Sequence, residues 1–139
     1  MWVRRRPGFD LVLHDRCECS GWVCVDCVKD DLPCPCRKSR QMRELYAAIC
    51  RLRQNALLPH VSPATRDEIL RHLDDAQHLF TAQLPRTDLL RYARRTERWR
   101  MIAALDNLSE RARDESVAHI RHAKLLDALR IIEDSIAQQ

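Results

Sequence analysis

The sequence predicts a mostly α-helical chain, with a small cysteine-rich, zinc-binding module over residues 1–38 followed by a three- to four-helix bundle over residues 39–139. Three observations carry this expectation. Six of the seven cysteines fall between Cys17 and Cys36, in the order Cys17-x-Cys19-x4-Cys24-x2-Cys27-x6-Cys34-x-Cys36. The chain holds only two glycines, Gly8 and Gly21, and 5% aromatic residues, which disfavours a strand-rich fold and excludes a Gly-rich phosphate loop beyond residue 21. After the cysteines, apolar residues recur at helical spacing between proline-marked breaks.

Cys-x-Cys and Cys-x2-Cys pairs suit zinc because two thiolates on one tight turn can both face an ion about 2.3 Å away. Three pairs exceed what one ion needs and fall short of two separate all-thiolate tetrahedra. One or two zinc ions are therefore expected on Cys17, Cys19, Cys24, Cys27, Cys34 and Cys36, with His14 as a further candidate ligand. Two ions share bridging thiolates, or His14 and a distant group such as Cys50 or His60 complete the second site. Cys50 itself reads as a small core residue on a helix beside Tyr46 and Ile49. Metal is preferred to disulfides because the cysteine count is odd and no export signal is visible: the stretch after Arg4-Arg5-Arg6 is interrupted by Asp10 and His14. An intracellular protein of cytoplasm or nucleus, without a membrane span, is the corresponding expectation.

Fragments of the cluster resemble known zinc families. Trp22-Val23-Cys24-Val25-Asp26-Cys27-Val28 followed by Pro33-Cys34-Pro35-Cys36-Arg37 looks like the second half of a RING finger over about 16 residues, without its upstream Cys-x2-Cys pair. Cys24-x2-Cys27-x6-Cys34 is similar to half of a fungal binuclear zinc cluster, and Cys17-x-Cys19-x4-Cys24 resembles the post-SET motif of histone methyltransferases. These resemblances imply ubiquitin transfer, DNA reading and methyl transfer in turn, and no one family accounts for the whole pattern.

The helices follow in order. Ser39 caps a helix over about 40–58 that carries Met42, Leu45, Tyr46, Ile49, Leu52 and Ala56 on one face, with Pro59 beyond its end. Ser62-Pro63 starts a second over about 63–84, with Thr65-x2-Glu68 as an alternative capping box and Ile69, Leu73, Ala76, Phe80 and Leu84 as its stripe. Thr87-Asp88 starts a third over about 88–107, with Leu89, Tyr92, Thr96, Trp99 and Ala103 expected opposite a basic stripe of Arg91, Arg94, Arg95 and Arg98. Past Trp99 the apolar positions Met101, Ile102, Leu105 and Leu108 rotate onto the basic side. The chain is expected to break near Asp106-Asn107 or to be surrounded by protein there. A last helix over about 110–137 spaces Ala118, His122, Leu125, Leu129, Ile132 and Ile136 as a heptad, a candidate homodimer seam over 118–136.

Charge is divided unevenly. Residues 1–54 hold 11 Lys and Arg against 7 Asp and Glu, while residues 55–139 hold 13 of each, so the formal excess of +4 lies in the cysteine module and the helix that follows it. Arg4, Arg5 and Arg6 on one side and Arg37, Lys38, Arg40 and Arg43 on the other flank the cluster, an arrangement able to grip a phosphate backbone together with the stripe at Arg91, Arg94, Arg95 and Arg98. No metalloprotease, nucleophile-elbow, P-loop or zinc-deaminase motif occurs, and Asp74 and Asp75 near His72 and His78 read as a polar helix face. The expected function is non-enzymatic: an adaptor or regulatory protein that binds a larger protein complex through its zinc module and helical faces. The alternatives are a nucleic-acid-binding transcriptional regulator and a RING-like ubiquitin ligase component.

Overall fold

The computed structural model describes residues 3–6, 9–14, 17, 19 and 21–138, with side chains from Leu11 onward. Three antiparallel strands, β1 (Val3–Arg6), β2 (Phe9–Leu13) and β3 (Trp22–Cys24), lie in the order β1-β2-β3. They lead into α1 (Val25–Lys29), α2 (Arg40–Ala56), α3 (Pro63–Thr81) and α4 (Asp88–Ala137). The fold is mostly helical, as expected, with four helices packed together and a cysteine-rich region built on a small hairpin. The strands themselves were not expected.

β2 pairs with β3 so that Val12 faces Val23, and both are buried. His14 N donates to Gly21 O at 2.7 Å and prolongs this ladder by one step, which fixes where the intervening cysteine loop leaves and returns. α1 is one turn and a half, too short to persist alone. It is held by Cys27 and Leu32 in the core and ends at Asp31, whose φ of 59° turns the chain away. Asp30 at its C-cap accepts from Arg53 of α2 and from Gln77 Nε2 of α3, so one carboxylate ties the module to two helices.

α2 begins as the sequence indicates, with Ser39 Oγ accepting from Met42 N. It buries Met42, Leu45, Tyr46, Ala48, Ile49 and Leu52, and the Tyr46 and Phe80 rings meet at 5.6 Å. Its end at Ala56 falls two residues before the expected one because Leu57 and Leu58 donate to Gln54 O and Asn55 O in a closing turn. α3 starts at Ser62-Pro63, and the alternative capping box at Thr65 is not used. It ends at Thr81, not Leu84, because Ala82 turns extended and a residue before proline, here Leu84, disfavours helix. The Arg98 guanidinium covers this end, donating to Leu79 O at 3.0 Å and Ala82 O at 2.5 Å.

The largest departure is α4, one continuous helix where two were expected. Neither glycine nor proline occurs after Pro85, so nothing interrupts the backbone ladder. Asp106 is occupied by Arg51 of α2 at 2.8 Å, and Asn107 simply faces out. The helix is about 75 Å long at 1.5 Å per residue. Only its middle, from Arg98 to Ser116, is buried, against α2 and α3. The expected apolar face is also reversed: Leu89, Tyr92, Trp99 and Ala103 are exposed, while Arg98, Ile102 and Leu105 form the core face. The reason is coverage, since the bundle shields α4 only from Arg98 onward and the earlier turns overhang it.

Glu115 fastens α4 to the start of α3. Its carboxylate accepts from Thr65 Oγ1 at 2.5 Å, Ser62 N at 2.9 Å and Ser62 Oγ at 3.2 Å, where a helix N-terminus favours negative charge. The Thr65 hydrogen bond, then that of the Ser62 backbone, holds its pKa below the usual carboxylate range. A depressed folded-state pKa stabilises above the unfolded value and is lost as pH falls through the folded one. Glu115→Gln is expected to cost about 1–2 kcal/mol at neutral pH. In denaturant titrations of both proteins the gap should close below the folded-state pKa; an equal gap at every pH would assign the loss to shape.

Candidate metal centre

Every cysteine is free, and all seven lie in or against one corner of the molecule built from β2, β3, α1 and the start and middle of α2. Two groups of donor atoms converge there, each with all members within 4.8 Å of one another.

The first group is His14, Cys17, Cys19 and Cys34. His14 stands at the end of β2, Cys17 and Cys19 on the β2–β3 connection, and Cys34 on the segment between α1 and α2. Cys17 Sγ lies 2.9 Å from Cys34 Sγ and 3.5 Å from Cys36 Sγ, and Cys19 Sγ lies 3.2 Å from Cys34 Sγ. These separations are too long for a disulfide, near 2.05 Å, and gather the thiols closely enough for one ion to reach them after a small outward shift. Cys19 N also donates to Cys17 Sγ at 3.3 Å, which tightens the Cys-x-Cys turn. His14 is 3% exposed, and its Nδ1 is buried with no hydrogen-bond partner among the described residues. A buried imidazole nitrogen without a partner is costly unless it ligates. His14 therefore fits as a fourth donor.

The second group is Cys24, Cys27 and Cys50. Cys24 ends β3, Cys27 lies in α1 and Cys50 in the middle of α2. Cys27 Sγ sits 3.1 Å from Cys24 Sγ and 3.0 Å from Cys50 Sγ. Cys50, expected either as a small core residue or as a distant ligand, packs against the core, and its sulfur also reaches across to α1 as one of three convergent donors. Hydrogen bonds with Cys27 and then Cys50 pull the Cys24 thiol down to about 3, against burial. The matching bonds with Cys24 and Cys50 push Cys27 far up, and Cys50, beside Cys24, rises to about 12. Three packed thiols cannot all ionise without a cation, and a divalent ion removes that conflict.

Arg53, one turn beyond Cys50, supplies further positive charge. It is buried, which by itself would lower its pKa, but Cys27, then Asp30 and Cys24, outweigh burial and hold it above the usual guanidinium value. A thiolate-rich site carries net negative charge even with a divalent ion bound, so a buried guanidinium beside it is electrostatically matched. Tyr46 lies between the groups: burial first, then the thiols of Cys27, Cys50, Cys24 and Cys34, push its phenol up.

The remaining expected sites are scattered. His60, proposed as a distant ligand, joins neither group among the described residues; it stacks on His119 with ring centroids 3.8 Å apart. Arg4, Arg5 and Arg6 lie in β1, and their side chains fall outside the described ones. Arg37, Lys38, Arg40 and Arg43 are exposed at the start of α2, with Arg40 paired to Glu44 and Arg43 donating to Lys38 O. The α4 stripe is broken. Arg91, Arg94 and Arg95 face solvent, but Arg98 is 4% exposed and occupied by the α3 carbonyls, so it is withdrawn from any phosphate. On α3, His78 and Asp74 are an exposed pair at 3.9 Å, and His72 Nδ1 meets Glu68 O at 2.9 Å, an ordinary polar face.

These groups define a helical protein with two candidate thiolate metal sites at one end. No family model, no curated protein and no solved structure matches the chain. Among the described residues no helix is long and apolar enough to cross a membrane.

Proposed function

We propose that the chain is a non-enzymatic zinc-binding adaptor, in which zinc fastens the hairpin and α1 onto α2 and the exposed helical faces bind a larger protein complex. The observation that carries this reading is the donor chemistry. Cysteine-rich sets with one buried histidine, reaching from loop and strand to the body of a helix, suit a structural zinc site. Five of the cysteines expected from spacing, Cys17, Cys19, Cys24, Cys27 and Cys34, are among these donors, Cys36 joins neither group among the described residues, and Cys50 adds an anchor on the bundle.

The partner-binding part rests on the N-terminal overhang of α4. Leu89 is 80% exposed and Tyr92 71%, with Leu90 and Trp99 also open to solvent among Arg91, Arg94, Arg95 and Arg100. Clustered apolar exposure of this kind marks protein contact surfaces, and aromatic and arginine side chains dominate their energetics. The same side chains favour a second reading, nucleic-acid binding, through stacking and phosphate contacts.

A photo-crosslinking residue at position 92, in full-length protein purified under reducing conditions with its zinc content measured by native mass spectrometry, distinguishes them. Two zinc ions, a defined protein adduct abolished by Leu89→Glu, and no binding to a mixed-sequence duplex at about 50 mM salt are expected. Duplex binding whose log–log salt slope reaches several times −0.9 would replace the adaptor with the nucleic-acid reading. Autoubiquitination with a conjugating enzyme would replace it with the RING-like one.

A further inference from the structure

The C-terminal arm of α4 leaves the bundle after Ser116, and every described residue from Val117 onward is exposed. This arm is about 30 Å of helix; near its start His119 stacks on His60, and beyond that every described side chain stands open to solvent. Such a segment draws little stability from propensity alone, since helices in proteins are held chiefly by packing of an apolar face. That face exists: Leu125, Leu126, Leu129, Ile132 and Ile136 are 47–65% exposed along one side. It is not an extension of the intramolecular core. The buried stripe of α4 runs Arg98, Ile102, Leu105, Ser109, Ala112 and Ser116. The arm seam of Ala118, His122, Leu125, Leu129, Ile132 and Ile136 runs one residue out of step with its continuation, about 100° around the helix.

We infer that the arm pairs with the arm of a second copy, antiparallel, as a two-stranded coiled coil centred on Asp127. The seam spacing, 4-3-4-3-4, reads the same in both directions. Placing Asp127 at the two-fold axis sets Leu125 against Leu129, His122 against Ile132 and Ala118 against Ile136 of the second copy. Every layer joins one a position to one d position, as an antiparallel coiled coil requires, and the smallest seam residue meets a large one. Leu126 falls opposite itself beside the central layers and widens the apolar strip.

Charge selects the same orientation. The half of the arm near the bundle is basic, with Arg121 and Lys124, whereas the distal half carries Asp127, Glu133 and Asp134 with Arg130. Antiparallel pairing brings each basic half onto an acidic one, with His119 opposite Glu133. Parallel pairing would align like with like and set His122 on His122. The last turn of α4 has no basic residue, so Glu133 and Asp134 oppose the helix dipole. Arg121 and Lys124 of an antiparallel copy offset that.

Light scattering of the full-length, metal-loaded protein under reducing conditions should give twice the 16.3 kDa chain mass. Leu129→Asp should return it to a monomer with unchanged metal content. Ile131→Glu, on an exposed position off the seam, should leave the dimer intact. A photo-crosslinking residue at position 136 should join Ala118 of the second copy. A monomeric wild type at high concentration overturns the proposal, as does dimer loss with Ile131→Glu alone, and adducts from position 136 to Ile136 overturn the orientation.

Discussion

Stripping the metal with a strong chelator is expected to unfold residues 11–38 while α2, α3 and the buried part of α4 stay helical. The hairpin and α1 have few resources of their own: three short strands, a helix of five residues, and a small apolar set of Val12, Val23 and Leu32 shared with the bundle. A structural zinc ion contributes about 10–16 kcal/mol of apparent binding free energy, more than the whole stability of a typical small domain. The helices, in contrast, close a core of Leu45, Ile49, Leu52, Ile69, Phe80 and Leu105 that needs no metal ligand. Hydrogen exchange read by mass spectrometry resolves the two parts. Loss of protection confined to peptides before Ser39 is the expected pattern; full protection of the β3–α1 region after chelation would show that packing alone holds the module. Cys27→Ser and Cys50→Ser should each lose one metal equivalent. Cys50→Ser should also release the module from α2, seen as faster exchange around Cys24 and Cys27 with the first group still loaded.

Leu105→Ala should cost the bundle about 2–5 kcal/mol, the range for deleting a fully enclosed leucine. Leu105 is completely buried on the face of α4 that meets α2 and α3, with Ile102 and Leu108 beside it on the same helix. The gap left by three lost carbons has no route to collapse between three long helices. Leu90→Ala, on the overhanging turn of the same helix, should change stability by less than about 0.5 kcal/mol. Urea titrations of the two variants against wild type test the pair together. Equal effects would mean that α4 is not gripped between Arg98 and Ser116 alone.

Much of this arrangement was legible before any coordinates. Ser39 and Ser62-Pro63 mark two helix starts because capping and proline act locally, Thr87-Asp88 stands at a third without a side-chain capping bond, and the stripes of α2 and α3 face the core as their spacing requires. The cysteine order pointed to the donor clusters that could hold a metal because ligand spacing is a property of short loops. What escaped depends on distant neighbours. β3 is three residues and β1 is largely arginine, so neither shows the alternation by which strands are recognised. Cys50 resembles any core thiol until α1 is placed against it, because its donor partners Cys24 and Cys27 lie more than twenty residues earlier in the chain. Arg98 belongs to a regular basic stripe, and only the carbonyls left free at the end of α3 single it out. The unbroken α4 had a visible sign, the absence of glycine and proline after Pro85, that the local polarity of Asp106-Asn107 obscured.

Because α4 is a single uninterrupted rod, its two overhangs cannot be set independently. The Tyr92 surface at one end and the Leu129 surface at the other share one axis, and their angular phase is fixed by the number of residues between them. One residue inserted after Ser116 would advance the arm by about 1.5 Å and turn it by about 100°. Seven would restore nearly the original phase at a greater reach. The helix thus acts as a ruler with a built-in compass bearing, and the spacing and heading of whatever occupies its two ends are written in the length of one secondary-structure element.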